Sequence, residues 1–147
     1  MVKRKRQVER CVSLMRIAIL DNDLRFSDQL YQKISMGFAK RDWALNCHIF
    51  SHPQDLLNSN LGTLHAVFLD IDMPQMTGIQ AAQQVREVLP DVGLIFVSSC
   101  ESMVFEAIKT TPLRFIRKAR LEEELEEAVT ALLNRYHSLK NYYDFCV

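Results

Sequence analysis

The chemistry in this chain is concentrated at Val67-Phe68-Leu69-Asp70-Ile71-Asp72-Met73-Pro74, a segment closed by Gly78. Three apolar residues run straight into a carboxylate, and a proline and a glycine then turn the chain. A buried strand ending in Asp70 presents that carboxylate at the rim of a sheet, where open α/β sheets bind their ligands. An aspartate held there can accept hydrogen bonds, bind a hard cation or attack phosphorus as a nucleophile. Other apolar runs end on matching groups: Asp21-Asn22-Asp23 after Ile17 to Leu20, Ser98-Ser99 after Leu94 to Val97, and Arg117-Lys118 after Phe115-Ile116. Carboxylates gathered so tightly repel one another unless a cation or protons compensate. Mg²⁺, which takes one or two carboxylates plus phosphate and water, is the natural compensator. A lysine and a hydroxyl opposite would stabilise charge on transferring phosphoryl oxygens.

Such convergence requires a parallel sheet, and the pattern supplies one. Short apolar runs (Ile17 to Leu20, Leu45 to Phe50, Ala66 to Leu69, Leu94 to Val97, Phe115-Ile116) alternate with segments of helical period, the mark of βαβ units. Leu45, Cys47 and Ile49 alternate as in a half-buried strand near an edge, whereas the other runs are nearly continuous, as central parallel strands are. Phe26, Leu30, Ile34 and Phe38 form one stripe, and Pro53 opens a short helix through Leu56 and Leu57. A third helix carries Ile79, Ala82, Val85 and Leu89 and stops at Pro90. Met103 to Thr110 makes a weaker fourth. Leu121 to Leu139 makes a long fifth, whose acidic first turn (Glu122, Glu123, Glu124) suits the helix dipole and otherwise reads as a solvated face. Five alternating strands and helices predict an α/β, flavodoxin-like (βα)5 three-layer sandwich with parallel sheet order 2-1-3-4-5.

With 147 residues the chain holds one domain, expected over residues 15–140. A basic extension (1–14) precedes it and a tail or linker (141–147) comes after it. The net charge is zero and no basic recognition helix is visible, so neither nucleic acid nor a membrane surface is an expected partner. Cys11, Cys47, Cys100 and Cys146 are widely spaced and read as free thiols in a reducing compartment. With no apolar run approaching the roughly 18 residues of a membrane span, a cytoplasmic location is expected. His48 and His52 fall on a strand and a loop and do not read as a metal pair.

The turn Asp21-Asn22-Asp23, the segment FLDIDMPQMTG around Asp70, Ser98 at the fourth strand end and Phe115 to Lys118 resemble the receiver domain of bacterial two-component response regulators, over roughly Met15 to Leu139. The details FLDIDMP, IFVSS and RFIRK most resemble receivers attached to LytTR-type DNA-binding domains. The resemblance implies that Asp70 is the phosphoacceptor, serving a sensor histidine kinase. It implies an Mg²⁺ site formed by Asp21, Asn22, Asp70 and the backbone carbonyl of Asp72. Ser98 and Lys118 would contact the phosphoryl group, with Ser98 and Phe115 as switch residues. The face of the fourth helix, fifth strand and fifth helix would change partners, homodimerisation included. By the same resemblance the domain is a signalling phosphoacceptor and not an enzyme, with output, transcription, carried by a LytTR-type domain that this sequence does not contain.

Two departures from the family pattern bear on this reading. Asn22 stands where a second metal-binding acid is usual, which predicts weaker Mg²⁺ affinity, with Asp23 a substitute if the turn shifts. Lys118-Ala119 replaces the family's Lys-Pro, and a trans bond is expected because a cis bond before a non-proline residue costs about 2.5–4 kcal/mol. Ser99 offers a hydroxyl one residue beyond Ser98, and Phe115 is equally a core residue. Two other functions stay open: a degenerate receiver that binds partners without phosphorylation, and a haloacid-dehalogenase-type phosphatase reading Asp70-Ile71-Asp72 as its D-x-D opening.

Overall fold

A computed structural model describes residues 13–136 of the chain. Five strands form one parallel sheet: β1 (Ser13–Leu20), β2 (Trp43–Phe50), β3 (Ala66–Leu69), β4 (Gly93–Ser98) and β5 (Arg114–Arg117). Their order is β2-β1-β3-β4-β5, the flavodoxin-like order that the alternation of runs predicts. Five helices connect them: α1 (Leu24–Ala39), α2 (Pro53–Leu57), α3 (Gly78–Val88), α4 (Val104–Ile108) and α5 (Leu121–Arg135).

The three layers follow from the two-residue period of the central strands. Ile17, Ile19, Phe68, Ile95 and Val97 point to one face and pack with Leu30, Ile34 and Phe38 of α1 and Leu125, Ala128 and Leu132 of α5. Ala18, Leu20, Val67, Leu69, Leu94 and Phe96 point to the other, against Leu56 of α2, Ile79, Ala82 and Val85 of α3 and Ala107 of α4. Both faces of β3 and β4 are closed to water, so those strands read as unbroken apolar runs. β2 lies at the edge, where Ala44, Asn46 and His48 are exposed and Leu45 and Cys47 half-buried. Burial there pushes the Cys47 thiol up to about 12, so it is inert as a nucleophile.

Several boundaries differ from the sequence reading. β1 begins at Ser13, because Ser13 and Leu14 pair with Trp43 and Ala44 at the start of a longer β2. The weak fourth helix is shorter than expected: a 3-10 turn (Glu101–Met103) leads into a five-residue α4 that leaves Phe105 and Ile108 exposed. Glu124 is not part of a solvated face, since it is largely covered and bound to Arg117, while Glu122 pairs with Lys33 of α1 and Glu126 with Arg41 just beyond that helix's end. Most of the basic extension, the tail from 141, Leu139, Cys11 and Cys146 lie outside the described residues.

The sheet edge opposite the strands' carboxyl ends is fastened by His65. Its backbone N–H donates to Arg16 O, and its Nδ1 accepts from Arg16 N at 2.9 Å. Its carbonyl accepts from Gly93 N and from the Tyr136 hydroxyl that ends α5. Nδ1 can accept only in the neutral ring. Burial, then the Arg16 charge, hold the ring's pKa below its ordinary 6.5. The unfolded chain therefore takes up this proton first, and the stability contributed by the neutral ring is complete above about pH 6.5 and lost as pH falls toward the folded-state value. Denaturant midpoints at about pH 7.5 and about pH 5.5 should drop more in wild type than in His65→Asn, whose amide oxygen accepts the same bond without titrating. Equal drops would remove His65 from the account.

Candidate functional site

Four strand ends deliver the site. Asp21 follows β1, Asp70 follows β3, Ser98 is the last residue of β4, and Lys118 follows β5. Leu20 stands opposite Leu69 and Leu69 opposite Phe96, so Asp21 and Asp70 meet side by side, and Ser98, one residue further along β4 than the partner of Asp70, reaches it through its hydroxyl. The backbone N–H of Asp70 donates to Leu20 O at 2.9 Å, extending the ladder one residue past the strand. Asp21 and Asp70 retain only 2% and 7% of their exposure, and Ser98 none.

The two buried carboxylates share one ammonium. Lys118 Nζ donates to Asp21 Oδ2 at 2.9 Å and lies 3.6 Å from Asp70 Oδ2. Its other side rests 4.3 Å over the Phe26 ring, a cation–π contact that holds the head in place. The remaining oxygens are committed to backbone: Asp21 Oδ1 accepts from Asp23 N, and Asp70 Oδ1 from Ile71 N, both at 2.8 Å. Burial, followed by the neighbouring Asp21 charge, pushes the Asp70 carboxyl above the usual carboxylate range. Lys118, the Ile71 N–H and the Ser98 hydroxyl pull it partly back. One ammonium against two carboxylates leaves this patch with a net negative charge.

An open cleft of about 300 Å³ is lined by Asp70, Asp72, Ser98, Ser99, Cys100 and Lys118. Ser98 is buried beneath it, its Oγ accepting from Cys100 N at 3.0 Å, and Ser99 is exposed beside it. Asp72 is exposed in that lining, whereas Asn22, exposed and next to Asp21 in the chain, does not line the cleft. Asp23 is already employed, since its Oδ1 caps α1 by accepting from Arg25 N and Phe26 N. Phe115 is half-buried, 6.1 Å from the Phe96 ring, beside a second cavity lined by Glu101, Val104, Arg117 and Glu124. No cis peptide bond occurs among the described residues, so Lys118-Ala119 is trans.

The loop after Asp70 is held by backbone proximity. Gly78 N donates to Ile71 O at 2.9 Å. A Cβ on Gly78 would stand 1.8 Å from the Asp70 carbonyl oxygen and 2.7 Å from its carbon, where only glycine fits. Thr77 and Gln80 then start α3 with a reciprocal capping box. The sequence reading missed the roles of Phe26, Arg117, Glu124 and the close approach of Gly78. An acid in the first turn of a helix, seven residues after an arginine that ends a strand, was the one available signal for the Arg117–Glu124 pair.

Among the described residues no three His, Cys, Asp or Glu side chains converge to hold a metal ion. The donor chemistry still fits a hard cation: two buried carboxylates, one raised in pKa by burial and then by the charge of the other, with a further oxygen from Asp72 in the cleft and one from Asn22 next to Asp21 in the chain. Asn22 supplies no charge, so the fit is to a weak site.

The chain belongs to the response regulator receiver domain family, whose model matches residues 28–130. Over 120 residues it is 31% identical to the response regulator protein TodT of Pseudomonas putida, covering 80% of this chain and 50% of TodT. It is 31% identical over 67 residues to the uncharacterized transcriptional regulatory protein YxjL of Bacillus subtilis, covering 44% of this chain and 31% of YxjL. It therefore spans half or less of the curated relatives it matches. Among solved structures, the fold is similar to a receiver domain protein from Clostridium thermocellum (TM-score 0.71, 15% identity, 85% of this chain and 98% of that one). It is also similar to the response regulator TrrA of Thermotoga maritima in complex with Mg²⁺-BeF (TM-score 0.68, 20% identity, 81% and 99%). Family membership displaces the haloacid-dehalogenase reading. The LytTR-type refinement is not carried by these relatives.

Because the folded-state pKa of Asp70 is raised, its ionisation costs stability as pH rises through that value. Asp70→Asn removes one of the two charges and keeps an oxygen for the Ile71 N–H. Its melting temperature at neutral pH should rise by about 3 °C, as expected for about 1 kcal/mol in a domain of this size. A fall on thermal unfolding would show that Lys118 outweighs the repulsion.

Proposed function

We propose that this domain accepts a phosphoryl group on Asp70 from the phosphohistidine of a sensor histidine kinase and switches an output in response. The observation that carries the reading is the buried Asp21–Asp70 pair with one lysine, Lys118, bridging it at the end of the central strand of a receiver-family chain. Asp70 Oδ1 is held by the Ile71 N–H, which leaves Oδ2, on the Lys118 side, to attack phosphorus in line. Lys118 then shifts its charge from a carboxylate to the transferred oxygens, and the Ser98 hydroxyl contacts another. Asp21, Asn22, Asp70 and the Asp72 carbonyl would hold Mg²⁺, which neutralises charge on the phosphoryl oxygens when bound.

The acyl phosphate adds negative charge where two carboxylates already repel, and the loop carrying Ser98 is the element free to respond. Phe115, half-buried, lines an open surface pocket of about 270 Å³ and would turn inward as the switch. The adjoining surface of α4, β5 and α5, with Phe105 78% exposed, is the face through which a homodimer or another partner would engage. The output would be transcription, through a further domain of LytTR type by the local resemblance of FLDIDMP, IFVSS and RFIRK. Histidine-kinase signalling places the domain in the cytoplasm, and among the described residues no helix is long and apolar enough to cross a membrane. A second reading, a receiver that binds partners without phosphorylation, draws on Asn22.

Intact mass after incubation with acetyl phosphate and Mg²⁺ should show one phosphoryl adduct, absent without Mg²⁺ and in Asp70→Asn. A folded wild-type protein that takes no adduct would favour the phosphorylation-independent reading. Asn22→Asp should tighten Mg²⁺ binding by about tenfold, roughly 1.4 kcal/mol. Equal affinities on metal titration would mean that residue 22 is not a ligand.

A further inference from the structure

We infer that Glu124 is a positioning residue for Lys118, clamping the β5–α5 corner so that the ammonium is delivered to Asp70. The inference rests on the phosphoacceptor reading for its purpose, but its geometry stands by itself. Lys118 lies in a 3-10 turn, Lys118–Arg120, with no side-chain cap at its start, and Arg120, the residue before α5, gives that helix no side-chain cap either. Residue 119 is alanine, which restricts the backbone no more than most residues do. A corner with these features would ordinarily sample several paths, because uncapped termini leave backbone groups without fixed partners.

Glu124 supplies the restraint. Its Oε1 accepts from the backbone N–H of Arg117 at 2.8 Å, and its Oε2 accepts from Arg117 Nε at 2.8 Å and also from the Nη2 of the same guanidinium. One carboxylate thus binds the main chain and the side chain of the residue immediately before Lys118. Charge-assisted, forked contacts of this kind fix orientation as well as adding energy. Glu124 is 17% exposed, against 78% for Glu122 and 71% for Glu123 in the same first turn. Burial and contact separate it from residues that merely favour the helix dipole. Lys118 is consequently held at both ends: its backbone through Arg117 by Glu124, its ammonium by Asp21 and the Phe26 face.

Two readouts test this, one independent of phosphoryl chemistry. Competitive acylation followed by peptide mass spectrometry reports how freely the Lys118 amine moves. Glu124→Gln should label about threefold faster at Lys118, the lower end for residues coupled in one network, whereas Glu123→Gln should match wild type. Beryllofluoride titration with Mg²⁺ present should give about tenfold weaker beryllofluoride binding in Glu124→Gln, the scale of losing a supporting residue, with Mg²⁺ affinity unchanged. Lys118→Ala should weaken beryllofluoride binding further, and the Lys118→Ala/Glu124→Gln double variant should be no worse than Lys118→Ala alone. Should Glu124→Gln fail to fold, Arg117→Gln, which keeps the backbone bond and loses the fork, should show the same pattern at smaller size. Additive losses, or labelling equal to Glu123→Gln, would overturn the proposal. A wild-type protein that binds no beryllofluoride would sink the phosphoacceptor reading and leave the labelling result to decide the clamp.

Discussion

Two buried carboxylates and one partly exposed ammonium share a patch beneath an open cleft, and the surrounding structure holds that unfavourable arrangement together. In isolation Asp21 and Asp70 would separate or take up a proton. They stay together because each comes directly after a central parallel strand whose register is fixed by a packed core. Register is the decisive term, since slipping a strand by one residue would turn an apolar face to water. The repulsion is therefore small against the burial of Ile19, Leu20, Phe68 and Leu69, which no local relaxation can give up.

The lysine is managed by a different device. It arrives at the end of β5, the shorter edge strand, where packing is thinner and Arg114 is exposed. There polar contacts take the place of the core: the aromatic face of Phe26, the carboxylate of Asp21 and the clamp on Arg117. The site is thus rigid on its acidic side by packing and on its basic side by hydrogen bonds. The cleft between them, bordered by Ser99 and Cys100, is open.

Much of this was legible in the chain itself. Runs such as Val67-Phe68-Leu69 and Leu94 to Val97 can hardly be anything but central parallel strands, and the polar residue at the end of each is then forced to one edge of the sheet. Less legible were features without periodic signal. Ser13 and Leu14 are recruited into β1 by pairing with Trp43 and Ala44, a long-range event. Glu124 looked like its neighbours Glu122 and Glu123 because three consecutive glutamates differ only in the direction a helix gives them. Phe26 fitted the core stripe of α1 so well that a second duty beneath Lys118 left no trace. The duty of Asp23 as the cap of α1 was equally hidden among the acids of its turn.

Gly78 has a consequence for how this sequence can vary. Every other residue type carries a Cβ, and any Cβ at 78 falls within bonding distance of the Asp70 main chain. No codon change that replaces this glycine is neutral to the turn after Asp70, whatever side chain it encodes. Drift at the start of α3 and loss of the backbone geometry at Asp70 are therefore one event, so a residue eight positions downstream constrains the acid without touching its carboxylate.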